Sequence, residues 1–136
     1  MRIARAAMEA VKAHGAEGYP HEICGLLVGY PDRGLITEIH KLRNIDEDRP
    51  HDRYTIDSYE DMRARKKIYS RGLDVVGYYH SHPDHPARPS PFDTDRSWAT
   101  YVYLIVSVVR GSAVDANVFI AENDKGPFRS EPLEVV

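Results

Sequence analysis

His80 and His82 stand two residues apart at the close of an apolar run, Leu73 to Tyr79, and seven residues separate His82 from Ser90-Pro91-Phe92-Asp93. At the end of a strand this spacing points both imidazoles to one face and Ser81 to the other, so two nitrogen ligands are aimed at one point. A His-x-His pair by itself also arises as a satisfied polar edge. Ser90-Pro91-Phe92-Asp93 reads first as a helix start, with Ser at the N-cap, Pro at the first helical position and an acid at the third. An acid held there is ionised and fixed, which suits a metal ligand, and the Ser90 hydroxyl keeps a donor that can face a substrate. Two neutral imidazoles and one carboxylate make the three-ligand, open-position set of a catalytic zinc site. Such a site needs a base. Glu22, at the mouth of the apolar run Ile23 to Tyr30, is positioned for it because desolvation raises a carboxyl pKa toward the useful range. Taken alone, a surface glutamate at a strand end is the simpler reading of Glu22.

The elements that would position these residues can be read from periodicity. Ile3, Ala7, Ala10, Val11 and His14 recur at helical spacing, and Gly15 and Gly18 are expected to end that helix. Ile23 to Tyr30 and Leu35 to Leu42 flank the turn cluster Pro31-Asp32-Arg33-Gly34 and predict a hairpin. The charged stretch Arg43 to Arg53, interrupted by Pro50, predicts a surface loop. A second helix is signalled by Asp57 three residues before Glu60, a capping-box pattern, with Tyr59, Met62 and Tyr69 sharing a face and Gly72 after its end. Its exposed side carries Arg63, Arg65, Lys66, Lys67 and Arg71, which reads as a solvated face or as a dock for an acidic partner. Pro83, Pro86, Pro89 and Pro91 keep the segment after the histidines irregular, and a motif helix is expected through Asp95 to Ala99. Tyr101 to Val109 predicts a buried central strand, followed by weaker strands at Asn117 to Ala121 and Phe128 to Val136. The fold class expected is α/β, a mixed sheet flanked by helices in one domain over residues 1–136.

The 136 residues, 42% hydrophobic and 29% charged, suffice for one core without staples. The single cysteine, Cys24, excludes a disulfide scaffold and fits a reducing, cytoplasmic setting. A net charge of −3 gives no electrostatic reason to expect nucleic acid. The longest apolar stretch is strand-length, so no membrane span is expected, and Arg2, Arg5, Glu9 and Lys12 interrupt any signal-peptide core.

Taken together, His80-x-His82, seven residues, Ser90, two residues and Asp93, with Glu22 upstream in a Glu-x-Cys-Gly-Leu-Leu segment, resemble the JAMM motif of the MPN-plus, or JAB-domain, zinc metallopeptidases. The order of elements resembles that family over nearly the whole chain. The resemblance implies a compact domain with a curved mixed sheet in a cytidine-deaminase-like layered architecture. It assigns His80, His82 and Asp93 to Zn2+, Glu22 to general base and later acid, and Ser90 to the developing oxyanion. It implies hydrolysis of a peptide or isopeptide bond after the C-terminal Gly-Gly of a ubiquitin-like or sulfur-carrier protein. The chain lacks room for long selectivity insertions and is similar to small stand-alone prokaryotic members. Pro86-Ala87-Arg88-Pro89-Ser90 resembles those that release cysteine from a sulfur carrier, a step of cysteine biosynthesis; a desampylase-like isopeptidase is the alternative.

Other residues invite function less strongly. His85 reads as a solvent-facing loop histidine rather than a further ligand, since the zinc set is complete with water. Cys24 shares a strand face with Glu22, yet a small buried apolar residue is the simpler reading. Trp98 is expected to pack the motif helix onto the sheet. A two-histidine, one-carboxylate iron enzyme shares the ligand types but usually occupies a double-sheet barrel. A zinc nucleobase deaminase requires a Cys-x-x-Cys pair that is absent. A non-catalytic binding module of the MPN type is marked by lost ligands, and none is lost here.

Overall fold

The computed structural model describes residues 1–136 and shows one curled eight-stranded mixed sheet with three helices. In chain order the elements are β1 (Arg2–Ile3), α1 (Arg5–Gly18), β2 (Cys24–Tyr30), β3 (Leu35–Leu42), α2 (Ser58–Ser70), β4 (Asp74–Pro83), α3 (Pro91–Asp95), β5 (Val102–Val109), β6 (Ser112–Ala121), β7 (Phe128–Glu131) and β8 (Glu134–Val135). The strand order is β7-β6-β5-β4-β2-β3-β1-β8. β4 and β5 run parallel and β2 pairs antiparallel with both β3 and β4, so the histidine strand lies at the sheet's centre. β7 and β8 are two residues apart in the chain yet occupy opposite ends of the strand order, and the sheet curls to bring its ends together.

The alternation of side chains along the central strands divides the core between the two faces. On one face α1 lays Ala7, Met8 and Val11 against Leu27, Tyr79, Leu104 and Val106. On the other face α2 buries Ala64 and Ile68 against Leu26, Val28, Leu42 and Val75. His80 and His82 open onto this second side, whereas Ser81 points to the first, where its Oγ accepts from the Ile23 N–H at 2.9 Å.

The hairpin β2–β3 closes through a short 3-10 turn, Pro31–Arg33, and Gly34 takes the left-handed φ of 59° that ends it. Several expectations need correction. Ile3 belongs to a two-residue strand rather than to the first helix, because β1 pairs with β3 and β8, contacts no local pattern announces. Gly15 does not end α1; it lies inside it, where a Cβ would come within 3.0 Å of Val108 and 3.3 Å of Val106, so the missing side chain lets the helix approach β5. Asp57 caps α2 by accepting from the Tyr59 N–H, but Glu60 turns to Arg43 instead of completing a box. Tyr59, Met62 and Tyr69 are exposed, because Ala64 and Ile68 form the buried stripe. Arg65, expected on the solvated side, is instead tucked against the sheet, bonded to Asp61, Tyr78 and Tyr101. α3 stops at Asp95, and Trp98 beyond it is 58% exposed rather than packed. The last expected strand is divided by Pro132-Leu133 into β7 and β8.

Candidate active site

The end of β4 meets the start of β2 and the first turn of α3 in a buried polar cluster. Cys24 pairs with His80 across the β2–β4 ladder, which brings Glu22, two residues before Cys24, beside the two imidazoles. One ligand atom from each of Glu22, His80 and His82 lies within 4.8 Å of the others, and all three residues are buried. Asp93 joins them from α3. Its Oδ2 lies 3.0 Å from His82 Nε2 and 3.2 Å from His80 Nε2, and the two ring nitrogens are 3.2 Å apart.

Local sequence explains why Asp93 is held so firmly. The Ser90 Oγ accepts from the Asp93 N–H at 3.1 Å and Asp93 Oδ2 accepts from the Ser90 N–H at 2.9 Å, a complete capping box with Pro91 at the first helical position. Burial opposes ionisation of Asp93, but His80, His82 and the Ser90 N–H outweigh it and hold the carboxyl well below the usual range. Glu22 behaves oppositely. Burial, reinforced by Asp93, Asp52 and Asp46, pushes it up to about 9. Two adjacent carboxyls are thus driven apart, one favoured as the carboxylate and the other as the acid.

The donor set fits a divalent metal. In a tetrahedral site with bonds of about 2.0–2.1 Å, neighbouring ligand atoms lie roughly 3.3 Å apart. The triangle formed by the two Nε2 atoms and Asp93 Oδ2 has sides of that size. His82 Nδ1 faces the Pro86 carbonyl at 2.8 Å. A carbonyl only accepts, so a proton on Nδ1 can donate to it, and the tautomer that does so frees the Nε2 lone pair for a metal. Glu22 Oε1 and His80 Nδ1 are buried polar atoms without a protein partner.

Residues of the 43–57 loop complete the site, and sequence reading missed them. Tyr54 stacks on the His80 ring, with centroids 4.6 Å apart and planes at 26°. Asn44 donates to the carbonyls of Glu22 and Arg53, while its Oδ1 accepts from the Asp46 and Thr55 N–H groups. Pro50 O accepts the Glu22 N–H. The only signal for these roles was the polar composition of a loop following a hairpin. The motif loop is tied down by three successive carbonyls: His85 O accepts from Ser107 Oγ, Pro86 O from His82 and Ala87 O from Asn117 Nδ2. His85 itself is exposed. Cys24 turns away from the cluster, with Sγ near the Leu42 and Arg43 carbonyls, and burial pushes its thiol up to about 12. Glu22, His82 and Ser90 line one open groove of about 710 Å³.

A curled mixed sheet whose central strand delivers two histidines to a capped aspartate and a buried glutamate defines an α/β protein with the donor set of a metal-dependent hydrolase. Residues 4–119 match the prokaryotic homologs of the JAB domain, and the chain belongs to that family. The desampylase of Haloferax volcanii is 38% identical over 112 residues, 79% of this chain and 80% of that protein. A probable TtuB-protein conjugate cleaving protease of Thermus thermophilus is 31% identical over 103 residues, 76% and 67% of the two chains. The crystal structure of a JAB1/MPN domain protein from Archaeoglobus fulgidus shares the fold, with a TM-score of 0.62 at 24% identity over 100% of this chain and 97% of that one. No helix is long and apolar enough to cross a membrane.

Proposed function

We propose that this protein is a zinc-dependent amide hydrolase that cleaves after the C-terminal Gly-Gly of a ubiquitin-like or sulfur-carrier protein, acting in the cytoplasm with residues 1–136 as one catalytic domain. The observation that carries the reading is the convergence of His80 Nε2, His82 Nε2 and Asp93 Oδ2 beside a buried glutamate with an unpartnered oxygen. The relatives named a desampylase and a probable TtuB-protein conjugate cleaving protease support the isopeptide form of the substrate. The Pro86-Ala87-Arg88-Pro89-Ser90 stretch supports a second form, an adduct such as cysteine on a sulfur carrier.

His80, His82 and Asp93 would hold the zinc, which when bound supplies Lewis-acid polarisation of the amide and makes water a nucleophile at neutral pH. Glu22 takes the proton of the attacking water and returns it to the leaving amine. Its desolvated pocket suits a group that must carry a proton in both directions, and a dication held by the three ligands would favour its carboxylate form. Ser90 Oγ already accepts the Asp93 N–H, so its own O–H is left to donate to the oxyanion that develops on the carbonyl. Tyr54 and the Pro86 carbonyl keep the two imidazoles in plane and register.

The test is direct. Purified protein should contain about one zinc per chain, and His82→Ala should lose both metal and hydrolysis of a Gly-Gly-linked isopeptide followed by mass spectrometry. Glu22→Gln should keep the metal and lose turnover. Metal retained by His82→Ala, or an unchanged kcat in Glu22→Gln, overturns the assignment of that residue.

A further inference from the structure

We propose that the groove takes a substrate bearing a carboxylate close to the scissile amide, received by Arg53 and Arg88. This rests on the hydrolase reading above and narrows its substrate. Arg53 comes from the 43–57 loop and Arg88 from the motif loop, and both line the groove that holds Glu22, His82 and Ser90. Arg49, also in the groove, is neutralised by Asp52. Neither Arg53 nor Arg88 forms a salt bridge, whereas Arg43, Arg65, Arg71 and Arg129 all do; Asp46 and Asp52 lie close enough to feel the Arg53 charge without contacting it.

Arg53 is also preorganised. Its guanidinium lies 4.6 Å from the centroid of the Phe92 ring, and that of Arg96 lies 4.4 Å from the same ring. Stacking occupies the flat face of a guanidinium and leaves its edge of N–H groups open, the edge that pairs bidentately with a carboxylate. Two cations on one ring repel each other, and an anion arriving at either relieves that repulsion. The groove lining sets Arg49, Arg53 and Arg88 against Glu22 and Asp52, in a protein whose net charge is −3. Phe92 sits between Ser90 and Asp93 in the sequence, so the aromatic platform belongs to the same short turn that carries the chemistry. A carboxylate held there fixes the leaving group against the reacting carbon.

Two substrates offer that group next to a Gly-Gly amide. One is a carrier extended by a single residue, whose free α-carboxylate follows the scissile bond; the other is an isopeptide whose acceptor lysine has an acidic neighbour. The experiment compares four probes with the zinc-loaded enzyme: a Gly-Gly carrier extended by alanine as the free acid, the same carrier as the carboxamide, and Gly-Gly lysine isopeptides flanked by Glu or by Gln. The acidic member of at least one pair should be favoured about tenfold or more in kcat/KM. Arg53→Ala and Arg88→Ala should bring that pair toward equality, with Arg→Lys keeping part of the preference. Which pair responds identifies the source of the carboxylate. Equal rates within both pairs, or a preference that survives both alanine variants, overturn the proposal. Calorimetric binding of the same pairs to Glu22→Gln reads the preference without turnover. A preference in binding with no hydrolysis of any probe therefore refutes the hydrolase reading alone.

Discussion

Replacing Ser81 by alanine removes one oxygen from between the two histidines and strands a backbone donor in the interior. Ser81 Oγ lies 2.9 Å from the Ile23 nitrogen; Ser81 is fully buried and Ile23 is 8% exposed, so water does not substitute. A neutral hydrogen bond contributes about 1 kcal/mol, and a buried donor left without a partner costs about 1–3 kcal/mol. We expect Ser81→Ala to lose about 2 kcal/mol, seen as a fall in Tm of roughly 5–10 °C for a chain of this size. The stranded group adjoins Glu22, so the damage should also appear locally. Amide exchange at Ile23 should accelerate by about thirtyfold, and kcat should fall while metal content holds, because Ser81 faces away from the cluster. Calorimetry with exchange measured by NMR tests both statements. A loss below about 0.5 kcal/mol with the Ile23 amide still protected would show that the N–H finds another acceptor and would refute the reasoning.

Two further outcomes follow from burial and packing. In the metal-free protein Glu22 titrates at about 9 for the reasons of burial and neighbouring acids given above, against 4.5 for an ordinary glutamate, so between those values the native state holds a proton the unfolded chain has released. Stability of the metal-free form should therefore fall as pH rises from about 5 to 9, by a few kcal/mol within a ceiling of ~6 kcal/mol, and Glu22→Gln should flatten the dependence in urea titrations; a flat wild-type profile rejects it. A Cβ at Gly25 would lie 2.4–2.5 Å from the Tyr79 ring and hydroxyl, and that hydroxyl is hydrogen-bonded to His14 at 2.7 Å. Gly25→Ala should cost about 1–3 kcal/mol through overpacking, and an unchanged unfolding midpoint would show that the ring moves freely.

The parts of this molecule written in local chemistry were legible. Ser90, Pro91 and Asp93 announce a capped helix start from three positions, and the hydrogen bonds of the box are the ones those residue types make. The period of two across His80, Ser81 and His82 likewise foretold which side chains would share a face. What failed depended on partners distant in the chain. β1 exists only because β3 and β8 arrive on either side of it. The buried stripe of α2 went to Ala64 and Ile68 because small and branched side chains fit against Val28 and Val75, while Tyr59, Met62 and Tyr69 were judged by hydrophobicity alone. Asn44 and Tyr54 act through a loop without periodicity, and a loop's fold over a site leaves no pattern to count.

The proline-rich loop after His82 carries a separate lesson about change. His85, Pro86 and Ala87 are gripped through their carbonyls by side chains from β5, β4 and β6. A carbonyl is common to every amino acid, so the grip is indifferent to what stands at an exposed position such as His85 or Arg88. Selectivity can therefore be rewritten there by single substitutions, in descendants or at the bench, while the cradle formed by His80, His82 and Asp93 stays as it is.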